Sequence, residues 1–253
     1  MKKLSAIIIT FNEERNIRRC IESVKDIADE IIVVDSMSTD STEKICNSLG
    51  VRFFSQKWLG FSEQKNFADS LASNDWVFSI DADEVVSEEL AASIAGFKKS
   101  DCTDHDVFSM NRLTNYCGRW IKHCGWYPDR KIRIWNRNVG KWKGDIHETL
   151  EFSTETKENL LRGDLLHYSF NTPEDFERQM TKFALMRGKH YFMNGRRNAG
   201  FNIVFSPIYA FIQHYIFQLG FLDGADGLHI CHVTAKTTKL KYKTLKELTD
   251  KDK

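Results

Sequence analysis

The stretch Trp76-Val77-Phe78-Ser79-Ile80-Asp81-Ala82-Asp83-Glu84 decides how this chain folds. A short apolar, β-prone run ends abruptly in three acids, the pattern of a buried strand with carboxylates at its C-terminal end. In an open α/β sheet, ligands bind at that end of the strands. Two carboxylates one residue apart suit a hard divalent cation, Mg²⁺ or Mn²⁺, which bridges one or two carboxylates to substrate phosphates. The plainer reading is a polar turn opening an acidic helix start, since acids favour a helix N-terminus.

Upstream, strand and helix signals alternate. Leu4–Ile9, Glu30–Val34 and Val51–Phe54 read as strands. Glu14–Lys25, Thr42–Leu49 and Phe61–Ala72 read as helices between them. This alternation predicts βαβ units and a largely parallel sheet. After a helix over Glu88–Phe97 the pattern changes. Val107–Leu113, Arg119–His123, Lys131–Asn136 and Leu160–Tyr168 are short, aromatic or β-branched runs. Lys131-Ile132-Arg133-Ile134 alternates cleanly, as an antiparallel strand with one solvated face does. Pro173 then opens a helix to about Met193. The expected organisation is a catalytic domain over 1–170, with a nucleotide-binding half (1–110) and an acceptor half (111–170), followed by a helical region over 171–253.

Composition narrows the partners. The chain has 253 residues, 42% hydrophobic, with a formal net charge of +1. That content supports a real core, and the charge balance does not point to nucleic acid. The six cysteines form no Cys-x-x-Cys pair and read as reduced thiols of a cytoplasmic protein. Cys117, His123 and Cys124 lack a fourth zinc ligand at standard spacing, so a non-metal reading is favoured. Leu4–Thr10 is too short for a signal-peptide core.

Three strand ends carry polar clusters. The first holds Thr10, Asn12 and Glu13, where helix capping explains the residues well. The second holds Asp35 before the hydroxyl-rich Ser36–Thr42, and an acid there is placed to meet a ribose or base. The third is Asp81/Asp83. No glycine-rich phosphate loop follows the first strand, which removes dinucleotide and Walker-type readings.

Together these elements resemble the family-2 inverting glycosyltransferases. The resemblance rests on Ile9–Glu13, Val33–Ser36 with Ser38–Thr42, Gln64-Lys65-Asn66 and Asp81–Glu84. It continues through Tyr127–Arg133, Trp142–Glu148 and Gly220–Gly224, and is most similar to the lipopolysaccharide-core β-glucosyltransferase branch. It implies an α/β GT-A (nucleotide-diphospho-sugar transferase) fold: a mixed, mainly parallel sheet flanked by helices, with a C-terminal helical region. It implies a UDP-sugar donor and a lipid-linked or glycan acceptor. By the same resemblance, Thr10, Asn12 and Glu13 lie around base and ribose, Asp35 meets uracil or ribose, and Lys65 approaches the phosphates. Asp81 and Asp83 form the metal motif, Asp83 being the more direct ligand.

The chemistry asks for one carboxylate on the acceptor side. A nucleotide leaving group needs no protonation by an acid, whereas the acceptor hydroxyl needs a general base. Given the resemblance, Glu148 at the end of the loop-like Gly144–Glu148 is the choice for that base, with Asp129 and Asp145 as competing carboxylates; without the resemblance a surface turn is the better reading. His167 is a further metal ligand or, equally, a core histidine satisfied by backbone. Arg130, Lys131 and Arg133 suggest a phosphorylated or otherwise anionic acceptor, with surface charge as the equal alternative.

Ala199–Leu222 holds no Asp, Glu, Lys or Arg and carries seven aromatics. Arg187, Lys189, Arg196 and Arg197 precede it, and seven lysines lie from Lys236 onward. This pattern suits peripheral attachment to an anionic membrane surface on the cytoplasmic side, the other reading being a buried helix. Two rival functions are a haloacid-dehalogenase-type phosphatase built on Asp81-Ala82-Asp83 and a non-catalytic nucleotide-sugar-binding scaffold.

Overall fold

The computed structural model describes residues 1–144 and 149–252. In chain order the elements are β1 (Leu4–Thr10), α1 (Ile17–Val24), β2 (Glu30–Asp35), α2 (Thr42–Ser48), β3 (Arg52–Ser55), α3 (Phe61–Leu71), β4 (Trp76–Asp81), β5 (Glu84–Val86) and α4 (Glu88–Lys98). There follow β6 (Asp106–Tyr116), β7 (Arg119–Trp120), β8 (Asp129–Asn136), β9 (Gly140–Lys143), β10 (Thr149–Phe152) and β11 (Lys157–Phe170). Helices α5 (Pro173–Met193), α6 (Gly200–Ile212) and α7 (Gly224–Lys251) complete the chain, with a π-helical turn at Gln213–Phe217 and a 3₁₀ turn at Gly220–Asp223 between the last two.

The chain forms two compact units. One comprises Met1–Arg112 with Asp129–Tyr168, the other Leu113–Pro128 with Ser169–Lys253. Packing thus assigns Leu113–Pro128 to the helical unit, whereas the sequence reading set it in the acceptor half.

In the first unit the sheet runs β3-β2-β1-β4-β8-β6-β11-β5. β1 pairs in parallel with β2 and β4, and β2 with β3. β8 then adds antiparallel to β4, Phe78 facing Ile134. Both faces of the parallel part are covered, which is why its strands are apolar on successive residues. Leu4, Ala6, Ile8, Phe78 and Ile80 pack against Ile17 and Ile21 of α1 and Leu90, Ile94 and Phe97 of α4. Ile7, Ile32, Val34 and Val77 pack on the other side with Ala68 of α3 and with Trp135 and Trp142.

Three local features depart from the sequence pattern. α1 starts at Ile17 rather than Glu14; the residues before it form a turn, with the N–H groups of Glu13 and Glu14 bonded to Thr42 and Asp40 of the loop after β2. Asp83-Glu84 does not open a helix: Glu84–Val86 is a strand pairing antiparallel with Leu165–His167 of β11. Helix capping begins later, where the Ser87 hydroxyl accepts from the Leu90 N–H. β9 and β10 pair antiparallel, Trp142 facing Leu150, where the sequence reading set no strand.

In the second unit Thr172 caps α5, its hydroxyl accepting from the Asp175 N–H, with Pro173 in the first turn. Tyr116, Ile121, Cys124, Phe176, Ile230, Cys231 and Val233 form its main core.

Candidate active site

The ends of β1, β2 and β4 lie side by side, as the register Thr10↔Asp35 and Ile9↔Asp81 requires. They border a cavity of about 620 Å³ lined by Thr10, Phe11, Glu13, Ser36, Trp58, Phe61, Asp81 and Asp83, among others. Phe11, Trp58 and Phe61 are exposed apolar side chains at this cavity.

The first two strand ends are interlocked. Asn12, at φ 54°, accepts from the Thr39 N–H at 2.8 Å, while its own N–H donates to the Ser38 hydroxyl at 2.7 Å. Both carboxylate oxygens of Asp35 accept from Ser38, one from its N–H at 2.7 Å and one from its hydroxyl. Asp35 is buried and therefore shapes the loop whatever else it binds. Thr10 is buried too, and its hydroxyl has no hydrogen-bond partner among the described residues. Glu13 accepts from the Asn16 amide at 2.6 Å. Burial raises its carboxyl pKa against that bond, with Asp83 adding to the rise.

The two aspartates of the third strand end have different partners. Asp81 takes a hydrogen bond from Arg133 of β8 at 2.8 Å. The same guanidinium donates to Glu84 at 2.5 Å, and Glu84 in turn accepts from the Asp81 N–H at 2.9 Å. Arg133 and Glu84 are both buried. Burial opposes ionisation of Asp81, yet Arg133 outweighs it and holds the carboxyl well below the usual range. Asp83 instead meets His167 of β11, Oδ2 to Nε2 at 3.1 Å, and its backbone carbonyl accepts from the Tyr168 N–H. Over the Tyr168 ring lies Arg19 of α1, 3.5 Å from the centroid.

Among the described residues no group of three or more His, Cys, Asp or Glu is arranged to hold a metal ion. Asp83 and His167 nevertheless fit a cation that arrives with a diphosphate. Mg²⁺ keeps several ligand positions for water and phosphate and needs only one or two protein groups. Neighbouring ligands of an octahedral ion with bonds near 2.1 Å stand about 3.0 Å apart, close to the observed 3.1 Å.

Lys65 lies on the buried face of α3, its ammonium 4.3 Å from the Trp142 ring centroid. Its neighbour Asn66 clasps β9, accepting from the Trp142 N–H and donating to the Trp142 carbonyl. The Ser62 hydroxyl donates to the Gly144 carbonyl at 2.5 Å. Glu148 and Asp145 lie outside the described residues. Asp129 is held in ion pairs with Arg112 and Lys131 at 2.7 and 2.9 Å.

The three residues of the basic run have different surroundings. Arg133 is buried against two carboxylates, Arg130 pairs with Glu158, and Lys131 pairs with Asp129. Sequence reasoning missed Arg133 and Glu84 as parts of the site. No local signal marked Arg133: the alternation Lys131-Ile132-Arg133-Ile134 sets it on the solvated side with Lys131, whereas the β6–β8 register shifts at this point and Arg133 is buried.

Known proteins similar to this chain include glycosyltransferases and a glucosyl-3-phosphoglycerate synthase. An uncharacterized glycosyltransferase of Rickettsia typhi is 32% identical over 262 residues, covering 100% of this chain and 90% of that protein. The lipopolysaccharide core biosynthesis glycosyltransferase LpsC of Rhizobium meliloti is 28% identical over 261 residues, covering 92% and 90%. A solved structure of glucosyl-3-phosphoglycerate synthase from Mycobacterium tuberculosis, bound to Mn²⁺, UDP and glucosyl-3-phosphoglycerate, is 23% identical over 45% of this chain and 44% of that one, with a TM-score of 0.37. The sequence pattern of glycosyl transferase family 2 matches residues 5–149, more than half of the chain. With the strand order and the strand-end carboxylates described above, this makes the chain a member of glycosyl transferase family 2, with the GT-A-type fold of that family.

Proposed function

We propose that this glycosyltransferase moves a hexose such as glucose from a UDP-sugar to a lipid-linked or glycan acceptor of the cell envelope, of the lipopolysaccharide-core kind. The observation that carries the proposal is the unequal pair at the end of β4: Asp81 neutralised by Arg133, Asp83 left to His167 beside the cavity. The similarity to LpsC supports the acceptor class. Family membership outweighs the phosphatase reading, and the fourth-strand position of Asp81 also speaks against it.

In this reading Asp83 and His167 hold a Mg²⁺ or Mn²⁺ ion, and Asp81 takes the nucleotide side through its second oxygen. When bound, that cation stabilises the charge left on the departing diphosphate. Thr10, Asn12, Glu13 and Asp35 surround base and ribose. Lys65 adds positive charge near the phosphates. Glu148 removes the proton from the acceptor hydroxyl as it attacks the anomeric carbon on the face opposite the diphosphate, so configuration inverts. The protein acts at the cytoplasmic face of the membrane as a peripheral protein. Among the described residues no helix is long and apolar enough to cross a bilayer.

The test measures UDP release from a panel of nucleotide sugars with Mg²⁺, Mn²⁺ or chelator, and product configuration by NMR. Glu148→Gln should lower turnover about 10²–10⁴-fold with donor affinity kept. A retained anomer, or a variant within about twofold of wild type, would reject the single displacement.

A further inference from the structure

We infer that α6 and the π-helical turn after it lie flat in the headgroup region of an anionic bilayer, apolar stripe inward. This builds on the peripheral attachment proposed above and assigns it to one face. The stripe is Phe201, Val204, Phe205, Ile208, Tyr209, Ile212 and Ile216, each 39–67% exposed. Their spacing of three and four residues puts them on one side of a helix. The opposite side is the packed one: Ala199, Ile203 and Ala210 are covered, and α6 packs along α7. An amphipathic helix of a folded unit turns its apolar side to the core; here a second apolar side faces outward.

Charge identifies what covers it. From Arg178 to Leu222 the chain has no Asp or Glu, and carries Arg178, Lys182, Arg187, Lys189, Arg196 and Arg197. All six are exposed; Arg178 pairs with Asp175 and Arg197 with Asp252, and Arg196 and Arg197 lie just before α6. A second copy on this stripe would meet through the same patch, and so would set the basic residues leading into α6 against their own copies. An anionic lipid surface suits both these basic residues and the stripe. Gly200–Ile212 is about 20 Å long, too short to span the hydrocarbon core, and Asn202, Ser206 and Pro207 interrupt its apolar character. Those features suit an interfacial helix.

The experiment floats the full-length protein, without donor or metal, on vesicles of phosphatidylethanolamine with a third phosphatidylglycerol. Wild type should bind at low salt and lose most binding, but not all, at high salt. Phe201→Ser with Phe205→Ser should reduce partitioning at least tenfold, and Arg187→Ala with Lys189→Ala several-fold on anionic vesicles only. Tyr209→Trp keeps an aromatic at the centre of the stripe, and its emission should shift to the blue on vesicle addition. No flotation at low salt, or no blue shift in a floating protein, overturns the assignment. Stripe variants that break a wild-type dimer and leave vesicle binding unchanged place a second copy there instead. Because no donor is present, UDP-release assays of the same variants report separately on the proposed transfer reaction.

Discussion

Arg133 governs the charge of the carboxylate cluster around the cavity. One buried guanidinium faces both Asp81 and Glu84, and its own Nε has no hydrogen-bond partner among the described residues. Removing one partner of a buried ion pair costs about 3–5 kcal/mol, because the other charge stays buried. Arg133→Met should therefore lower stability by about that amount in urea titration, and adding Glu84→Gln should recover part of it. If Arg133→Met is as stable as wild type, the cluster is more solvated than its geometry says. Asp69 poses a different case. It is buried on α3, one of its oxygens has no hydrogen-bond partner among the described residues, and burial pushes its pKa up to about 8 against the pull of Arg137 and Lys65. A carboxyl whose folded pKa exceeds its unfolded value of about 3.9 favours folding when protonated. Its contribution is lost as pH rises from about 4 through 8. The stability of Asp69→Asn relative to wild type should thus grow over that window, by on the order of a few kcal/mol. A constant difference from pH 4 to 8 in thermal or urea melts would show that Asp69 stays ionised.

Among the elements, the β5–α4–β11 corner supports the site from behind. Gly163 in β11 has φ 88°, and a Cβ there would stand 2.3 Å from the Leu90 backbone nitrogen. On either side of the α4 start, Ser87 and Asp164 exchange hydrogen bonds. This close approach fixes β11, and so the depth at which His167 meets Asp83. Gly163→Ala should cost at least about 2 kcal/mol through backbone strain and weaken Mn²⁺ binding measured by EPR. A stable variant with normal Mn²⁺ affinity would uncouple this corner from the site. The elements also show what could be read beforehand. β1, β2 and β4 were legible because strands buried on both faces are largely apolar runs, here ending in polar clusters. β5 was hidden because acids before a helical run look like its first turn. The β9–β10 pair was hidden because its four-residue strands hold Lys and Glu on the solvated side, too short a pattern to separate from loop. The Asp83–His167 contact joins residues 84 positions apart, and no local pattern encodes that distance.

For the molecule as a whole, ligand linkage gives the broadest test of the site. A ligand at a hundred times its Kd stabilises the folded state by about 2.7 kcal/mol, and in a chain of this size each kcal/mol raises Tm by roughly 2–4 °C. UDP with Mn²⁺ should thus raise Tm by roughly 5–10 °C. Asp83→Ala should lose the Mn²⁺-dependent part of that shift and keep a native circular dichroism spectrum. An undiminished shift in the variant would move the cation away from Asp83.

The antiparallel addition of β8 to β4 has a further consequence for how the protein is made. Synthesis is vectorial, so β4 is finished at Asp81 while its partner is not complete until Asn136. At about 5–20 residues per second, that gap lasts roughly 3 to 11 s. Meanwhile the outer edge of Trp76–Phe78 is an unpaired, strongly apolar ribbon of the kind that recruits other chains. Messages truncated between these two points would yield nascent products with a permanently open edge. Such fragments should be chaperone clients and aggregate, whereas a product that runs past Asn136 has the strand that covers it.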